Sequence, residues 1–329
     1  MHSQATYLLA LQAIPRVGSW TAVRASRAFP SPEALFAASE DELVAVLGRR
    51  FAKPFVEFDR QEWADLVARA NAEVDRHIKH GIGVVAIDDD GYPPLMRIAP
   101  THAAVLYVRG DAAALRSSHA VAVVGTREPT SIGITVARRM ASALAGAGFT
   151  VVSGLAKGID AAAHEGALEA EGRTIAVMGS AIDRIYPASH RGLAAQIESS
   201  GGALISEYPM GFATTGRHFV ERDRLQAAMS IGVIAVQTGV TGGTLHTIKF
   251  AREARRLLIA PRPVASEAHH PAYGGIQDMI SANDVIVVDG VEDYPRLIEQ
   301  LQSHREALLA GRPGDLPPAP VGGQATLDL

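Results

Sequence analysis

Several features are missing from this 329-residue chain. It contains no cysteine, so neither disulfide bonds nor thiolate metal sites can form. No apolar run reaches the length of about 20 residues that a membrane-spanning helix requires. The N-terminus lacks the basic and apolar regions of a signal peptide. Together these absences predict a cytoplasmic protein.

The chain also lacks an excess of positive charge, because its formal net charge is −4. This argues against a basic coat over the whole surface. A local basic pocket is still compatible with it, since the field depends on how the charges are distributed. Hydrophobic residues make up 47% of the chain and charged residues 20%, which is ordinary for a globular protein. The length suggests a large α/β domain with a small one beside it.

Short β-rich segments alternate with helical segments between Val121 and Pro261. The first apolar run is 121–124, and similar runs recur at 149–152, 174–178, 203–205 and 233–236. This alternation predicts an α/β fold with a doubly wound, mostly parallel sheet and helices on both faces. Ligands of such sheets bind beyond the carboxyl ends of the strands. We therefore expect the function at the turns that follow these runs.

The segments on either side of this pattern differ from it. Residues 1–80 are predicted to form a helical module, with small helices over 1–48 and one helix over 60–80. The stretch Ile14-Pro15-Arg16-Val17-Gly18 is typical of helix-hairpin-helix and SAM-like modules. Some of these modules bind phosphates, but we favour packing or partner contact. Residues 81–310 are predicted to form the sheet domain. Proline and glycine dominate residues 311–329, which are predicted to be a disordered tail.

Glycine-bearing turns follow the predicted strands, and each leads toward a helix. The unpaired N–H groups and positive dipole of a helix N-terminus attract phosphate. The turns that offer hydroxyls or a cation are Gly125-Thr126-Arg127, Ser153-Gly154 and Thr241-Gly242-Gly243-Thr244. For a single turn, the alternative is that glycine only closes a tight βα connection. Because several such turns are expected to meet at the same edge of the sheet, we predict an anion-binding site there.

This site does not match the standard nucleotide motifs. The first turn lacks the Gly-x-Gly-x-x-Gly pattern of dinucleotide sites, and no Gly-Lys-Ser/Thr of a phosphate-binding loop occurs in the chain. Arg127 instead supplies a permanently charged fork suited to phosphate oxygens. The alternative for Arg127 is a surface ion pair with Glu128.

The densest basic patch lies at residues 217–224, where Arg217, Arg222 and Arg224 flank Phe219. Cations next to an aromatic ring suit single-stranded nucleic acid, because phosphates are neutralised while bases stack. Lys157 would add to the same positive pocket. The alternative is a solvated helix start with local ion pairs.

No complete catalytic or metal-binding set accompanies these residues. Asp160 and His164 have the spacing of an acid/base pair on one helix, but such pairs more often tie neighbouring turns. His269 and His270 lack a third ligand, and Asp88-Asp89-Asp90 lacks the ligand spacing of a calcium loop. We therefore predict a binding protein that is not an enzyme and needs neither metal nor cofactor.

The motifs along the chain resemble those of the DprA/Smf family of DNA-processing proteins. The most specific block is Ser153-Gly154-Leu155-Ala156-Lys157-Gly158-Ile159-Asp160. The other matching stretches are 92–95 with 106–111, 123–127, 176–180 with 185–187, and 206–209. With the helical N-terminal segment, the resemblance covers about residues 5–290.

The resemblance implies an extended Rossmann-like domain behind a SAM-like module, and a homodimer. It implies that the protein binds and protects single-stranded DNA, loads RecA recombinase and acts in natural transformation and recombination. The family's pocket arginine falls on Arg127, and its Phe-Pro-x-Arg-Asn-Arg stretch falls on Phe219–Arg224.

Three departures from the family pattern leave an alternative open. Residues 219–224 carry two carboxylates, Glu221 and Asp223, and residues 241–247 replace the family's Ser-Gly-Ser-Leu-x-Thr turn. We also expect no C-terminal winged helix. The alternative is a nucleotide-binding enzyme or sensor related to the lysine-decarboxylase-like phosphoribohydrolases, using the Thr241–Thr244 turn.

The final six residues resemble the peptide that docks in bacterial sliding clamps. The matching positions are Gln324, Leu327 and Leu329. A disordered tail that ends in such a peptide would serve as a tether to the clamp. A chance match of three positions is the alternative.

Overall fold

The computed structural model describes residues 3–311, which form a nine-stranded sheet with helices on both faces. The strands are β1 Gly83–Ala86, β2 Val105–Gly110, β3 Ala120–Val124, β4 Thr150–Ser153, β5 Thr174–Val177, β6 Ala203–Ser206, β7 Gly232–Ala235, β8 Leu257–Pro261 and β9 Ile286–Val288. Their order is β1-β2-β6-β5-β4-β3-β7-β8-β9. Strands β3 to β9 are parallel, while β2 is antiparallel to both of its neighbours. The predicted α/β fold is confirmed.

Fourteen helices of the described chain surround this sheet. They are α1 Gln4–Ala13, α2 Ser19–Ala28, α3 Pro32–Ala37, α4 Glu40–Leu47, α5 Arg49–Val56, α6 Trp63–Lys79, α7 Pro94–Arg97, α8 Ser131–Gly146, α9 Ile159–Glu169, α10 Arg191–Ser199, α11 Gly216–Met229, α12 Thr244–Glu253, α13 Gly274–Ser281 and α14 Tyr294–Ala310. None of them is long and apolar enough to cross a membrane.

The central strand β3 shows why the sheet needs helices on both sides. All five of its residues are buried. Ala122 and Val124 belong to one core cluster, whereas Val121 and Val123 belong to another. Because successive strand residues point to opposite faces, the two clusters lie on the two faces of the sheet. The apolar run that predicted this strand thus reflects burial on both sides.

The N-terminal segment is helical as predicted and packs against the sheet. Helices α1 and α6 contact β1, and Leu8 and Leu11 share a core cluster with residues of β3. The sequence did not predict α5, which begins directly after Gly48 and contains Pro54. The boundary at residue 80 stays a prediction. The predicted tail and its clamp-like residues Gln324, Leu327 and Leu329 lie outside the described residues.

The strand order reverses between β3 and β7, and this point is closed by hydrogen bonds between loops. The Thr126 backbone N–H donates to the carbonyl of Gln237 at 2.8 Å. The Gln237 side chain accepts from the backbone N–H of Thr130 at 3.0 Å and donates to its hydroxyl at 2.9 Å. In doubly wound sheets the ligand crevice lies at such a reversal.

Candidate functional site

A cavity of about 880 Å³ opens where the strand order reverses. It is lined by the loops after β3, β5 and β7, by the starts of α9 and α12, and by the N-terminal part of α11. Eight predicted site residues are among its lining, namely Gly125, Thr126, Arg127, Phe219, Arg222, Gly242, Gly243 and Thr244. The topology thus brings together turns that are more than 100 residues apart in sequence.

One of the helix N-termini at the cavity, that of α12, has no side-chain cap. Helix α12 begins after Gly243. At the start of α9, by contrast, the N–H groups of Ile159 and Ala161 already donate to the carbonyls of Thr126 and Ala156. Gly242 has a φ of 141°, and the space where its Cβ would lie is open. The uncapped N-terminus of α12 and the positive end of its dipole favour an anion at that position.

A close contact at Gly158 fixes the loop that carries Arg127. Gly158 has a φ of +82°, and a Cβ there would lie 2.5 Å from the Thr126 carbonyl oxygen. That oxygen also accepts a hydrogen bond from the Ile159 N–H at 3.3 Å. The glycine is required both by its left-handed backbone and by the approach of the neighbouring loop.

Two arginines at the cavity are free to meet a ligand. Arg127 and Arg184 line the cavity and are exposed, and neither forms an ion pair within residues 3–311. The alternative pairing of Arg127 with Glu128 does not occur. Sequence reasoning did not identify Arg184. The only signal was its place directly before the Ile185-Tyr186-Pro187 match.

Arg222 lines the cavity but is held by the protein itself. It is 4% exposed. Its Nε donates to Asp223 Oδ1 at 3.0 Å and its Nη1 to the Gly154 carbonyl at 2.6 Å. Nη1 also donates to the carbonyl of Val177. With these donors occupied, Arg222 mainly organises the floor of the cavity.

Two buried carboxyl groups share the charge of Arg222. Burial raises the pKa of Asp223 to about 7; nearby Asp160 adds to the shift, while Arg222 and Arg127 oppose it. Burial also raises the pKa of Asp160, against the opposing charge of Arg222 and its hydrogen bonds. One of those bonds comes from the Gly154 N–H at 3.1 Å. One cation facing two carboxyls favours a proton on one of them.

The other five predicted site residues lie outside the cavity lining: Ser153, Gly154, Lys157, Arg217 and Arg224. Arg224 forms an ion pair with Glu207 and donates to the Thr101 carbonyl at 2.8 Å. Arg217 is paired with Glu221 through Nε at 2.7 Å. Ser153 is buried, and its hydroxyl donates to the Val123 carbonyl at 2.7 Å.

Aromatic rings form part of the cavity wall beside the arginines. Tyr186 and Phe219 both line it, and their ring centroids are 5.0 Å apart. Tyr186 is 54% exposed. The Cα of Phe219 would lie 2.7 Å from a Cβ at Gly179, so glycine there lets α11 approach β5. An exposed ring in the same cavity as exposed arginines suits a nucleobase and its phosphate.

Asp160 and His164 do not form an acid/base pair. His164 is fully buried, its Nδ1 is 2.7 Å from the Thr174 hydroxyl, and burial lowers its pKa to about 3. Asp160 instead accepts from a backbone N–H, so both residues tie neighbouring turns. Within residues 3–311, no cluster of three or more His, Asp or Glu side chains is arranged to hold a metal.

Known proteins with similar sequences and structures place this chain in a family. The sequence profile described as "DNA recombination-mediator protein A" matches residues 83–301. Protein Smf of Synechocystis is 38% identical over 207 residues, which cover 60% of this chain and 52% of that protein. Protein Smf of Escherichia coli is 34% identical over 220 residues, covering 67% and 56% respectively. The chain thus spans little more than half the length of these relatives.

Solved structures show the same fold. The X-ray structure of DNA processing protein A from Streptococcus pneumoniae superposes with a TM-score of 0.69 and 25% identity, covering 89% of this chain and 97% of that one. A structure described as showing the "single-stranded DNA binding mode" of the Helicobacter pylori protein has a TM-score of 0.59 and 24% identity, covering 67% and 96%. The resemblance to the DprA/Smf family is confirmed, and the chain belongs to the DNA recombination-mediator protein A family of DNA-processing proteins.

Proposed function

We propose that this protein binds single-stranded DNA in the cavity at the strand-order reversal and acts without catalysing a reaction. The observation that carries the proposal is that one cavity is lined by Arg127 and Arg184, both exposed and without ion pairs within residues 3–311, and by the exposed ring of Tyr186. Cations would neutralise phosphates while a base stacks on the ring. The uncapped N-terminus of α12 would add backbone donors for phosphate oxygens.

The proposed cellular role follows the family. The protein would protect single-stranded DNA and load RecA recombinase during DNA uptake and recombination, working as a homodimer in the cytoplasm. The sliding clamp is a further proposed partner, through Gln324, Leu327 and Leu329. Pull-down with purified clamp would test that partner, and equal recovery of a chain ending at Gly323 would contradict it.

The function is tested by titrating the purified protein with labelled oligo-dT of several tens of nucleotides. Strand binding should strengthen with oligonucleotide length and weaken steeply as salt rises. The alternative, a nucleotide enzyme or sensor, rests on the open turn at Gly242 and Gly243. It would instead give saturable binding of a nucleoside monophosphate that does not depend on length.

Arg127→Ala should weaken the binding of single-stranded DNA. A plot of the logarithm of the association constant against the logarithm of the salt concentration should become less steep, its slope decreasing in magnitude by about one, because one phosphate contact is lost. Fluorescence anisotropy at several salt concentrations measures this slope. Arg252→Ala is the control, since it removes the same charge at the C-terminal end of α12, where Arg252 pairs with Asp284. Equal slopes for Arg127→Ala and Arg252→Ala would show that Arg127 does not contact a phosphate.

A further inference from the structure

The acidic side chain of Asp223 is unexpected in the lining of a cavity that is proposed to bind phosphate. Asp223 lines the cavity and is 8% exposed. Its Oδ1 accepts from Arg222, whereas within residues 3–311 no hydrogen-bond donor reaches Oδ2. As a carboxylate it would repel a phosphate, yet its second oxygen is available to a ligand.

The neighbouring groups decide which carboxyl carries a proton. Arg222 on α11 is the cation that Asp223 shares with Asp160 on α9. Asp160 accepts a hydrogen bond from the Gly154 N–H, which favours its charged form. Asp223 Oδ2 has no such donor, so Asp223 is the carboxyl that takes up a proton when further negative charge enters the cavity.

We infer that Asp223 is a further ligand-binding residue of the cavity, which takes up one proton from solvent as a phosphodiester enters and donates a hydrogen bond from the new O–H to a phosphate oxygen. The inference rests on the proposed function and adds proton-linked binding to it. No bond of the ligand breaks, and a solvent proton is the only co-reactant. The phosphodiester keeps its single negative charge while the carboxylate loses its own.

The pH dependence follows from the charges that face Asp223. Arg222 and Arg127 lower the pKa of Asp223, while Asp160 raises it. The other charged side chains that line the cavity are Glu128 and Arg184, and among the described residues no histidine lines it. A bound phosphate adds negative charge, so the pKa in the complex lies above the free value of about 7. Affinity is therefore highest below the free pKa. It falls as pH rises toward the pKa of the complex, by at most about tenfold per pH unit for one proton.

The test measures oligo-dT affinity by anisotropy between about pH 6 and about pH 9 at constant ionic strength, spanning the expected titration. The wild-type affinity should fall with pH. Asp223→Asn should bind with nearly constant affinity and more tightly than wild type at the alkaline end, because an amide N–H replaces the acid O–H. Glu128→Gln is the matched control, and it should keep the wild-type pH dependence. An unchanged pH slope in Asp223→Asn would overturn the inference.

A second measurement uses only the wild-type protein. Calorimetric titration near pH 7.5, in two buffers of different ionisation enthalpy, should show net uptake of part of one proton per site, because Asp223 is then largely ionised before binding. Binding without proton uptake overturns the inference and leaves the proposed function standing. Absence of strand binding at low salt and about pH 6 overturns the proposed function, and the inference with it.

Discussion

Replacing Arg222 with methionine is expected to lower the free energy of unfolding by about 3–5 kcal/mol, the range for breaking a buried ion pair by removing one partner. The variant leaves the carboxyls of Asp160 and Asp223 buried without their shared cation. It also leaves the carbonyls of Gly154 and Val177 without the Nη1 donor that both now share. Methionine keeps much of the side-chain volume, so the loss is mainly electrostatic.

Urea unfolding followed by circular dichroism measures this loss at two pH values. Without Arg222, the folded-state pKa values of both carboxyls rise further above the unfolded value of about 3.9. A carboxyl with a raised folded pKa costs stability as pH increases above its unfolded pKa. The destabilisation should therefore be larger at about pH 8 than at about pH 5.

Arg217→Met is the matched control for Arg222→Met. Arg217 lies on the same helix and also pairs with a carboxylate, but its side chain is 52% exposed. Exposed pairs contribute about 0–1 kcal/mol. Similar losses in the two variants would contradict a special role for the buried cation at the cavity floor.

Gly158→Ala is expected to destabilise the protein by about 2–5 kcal/mol, combining left-handed backbone strain with a steric clash. The added methyl group would lie 2.5 Å from the Thr126 carbonyl oxygen and 2.7 Å from Pro129 Cδ. Relief requires the loop after β3 to move, and Arg127 lies on that loop. The affinity for single-stranded DNA should therefore fall together with the stability of the protein.

Gly148→Ala separates the two causes. Gly148 has a φ of +86°, close to that of Gly158, but a Cβ there meets nothing within 4 Å. This control should lose only the backbone term of about 1–2 kcal/mol and bind DNA normally. Urea unfolding and anisotropy on both variants provide the comparison. If Gly148→Ala costs as much as Gly158→Ala, the contact with Thr126 is not a source of strain.

The fold was largely predictable because its central strands are buried on both faces. Apolar runs such as 121–124 identified these strands to within a residue or two. Helix α13 was not predicted, since it starts at Gly274-Gly275 and glycine is a poor helix former. It forms where Ile276 and Met279 pack into the core, and such tertiary packing overrides weak local propensity.

The site was less predictable because local sequence does not show which arginines are free. Arg222 and Arg224 look alike in the sequence, yet two residues apart on a helix they point to different faces. The structure places Arg222 at the cavity floor and pairs Arg224 with Glu207 outside the lining. Gln237, which joins the two loops at the strand-order reversal, carried only the weak signal of a polar residue after an apolar run.

The hydrogen bonds between Thr130 and Gln237 have a consequence for folding during synthesis. These residues are 107 positions apart, so the cavity forms only after β4, β5, β6 and their helices have been synthesised between them. Closing so long a loop costs entropy before the contact stabilises it, and topologies rich in such contacts fold slowly. A nascent chain on the ribosome is therefore expected to complete this cavity late, so an incomplete chain would lack the proposed ligand site.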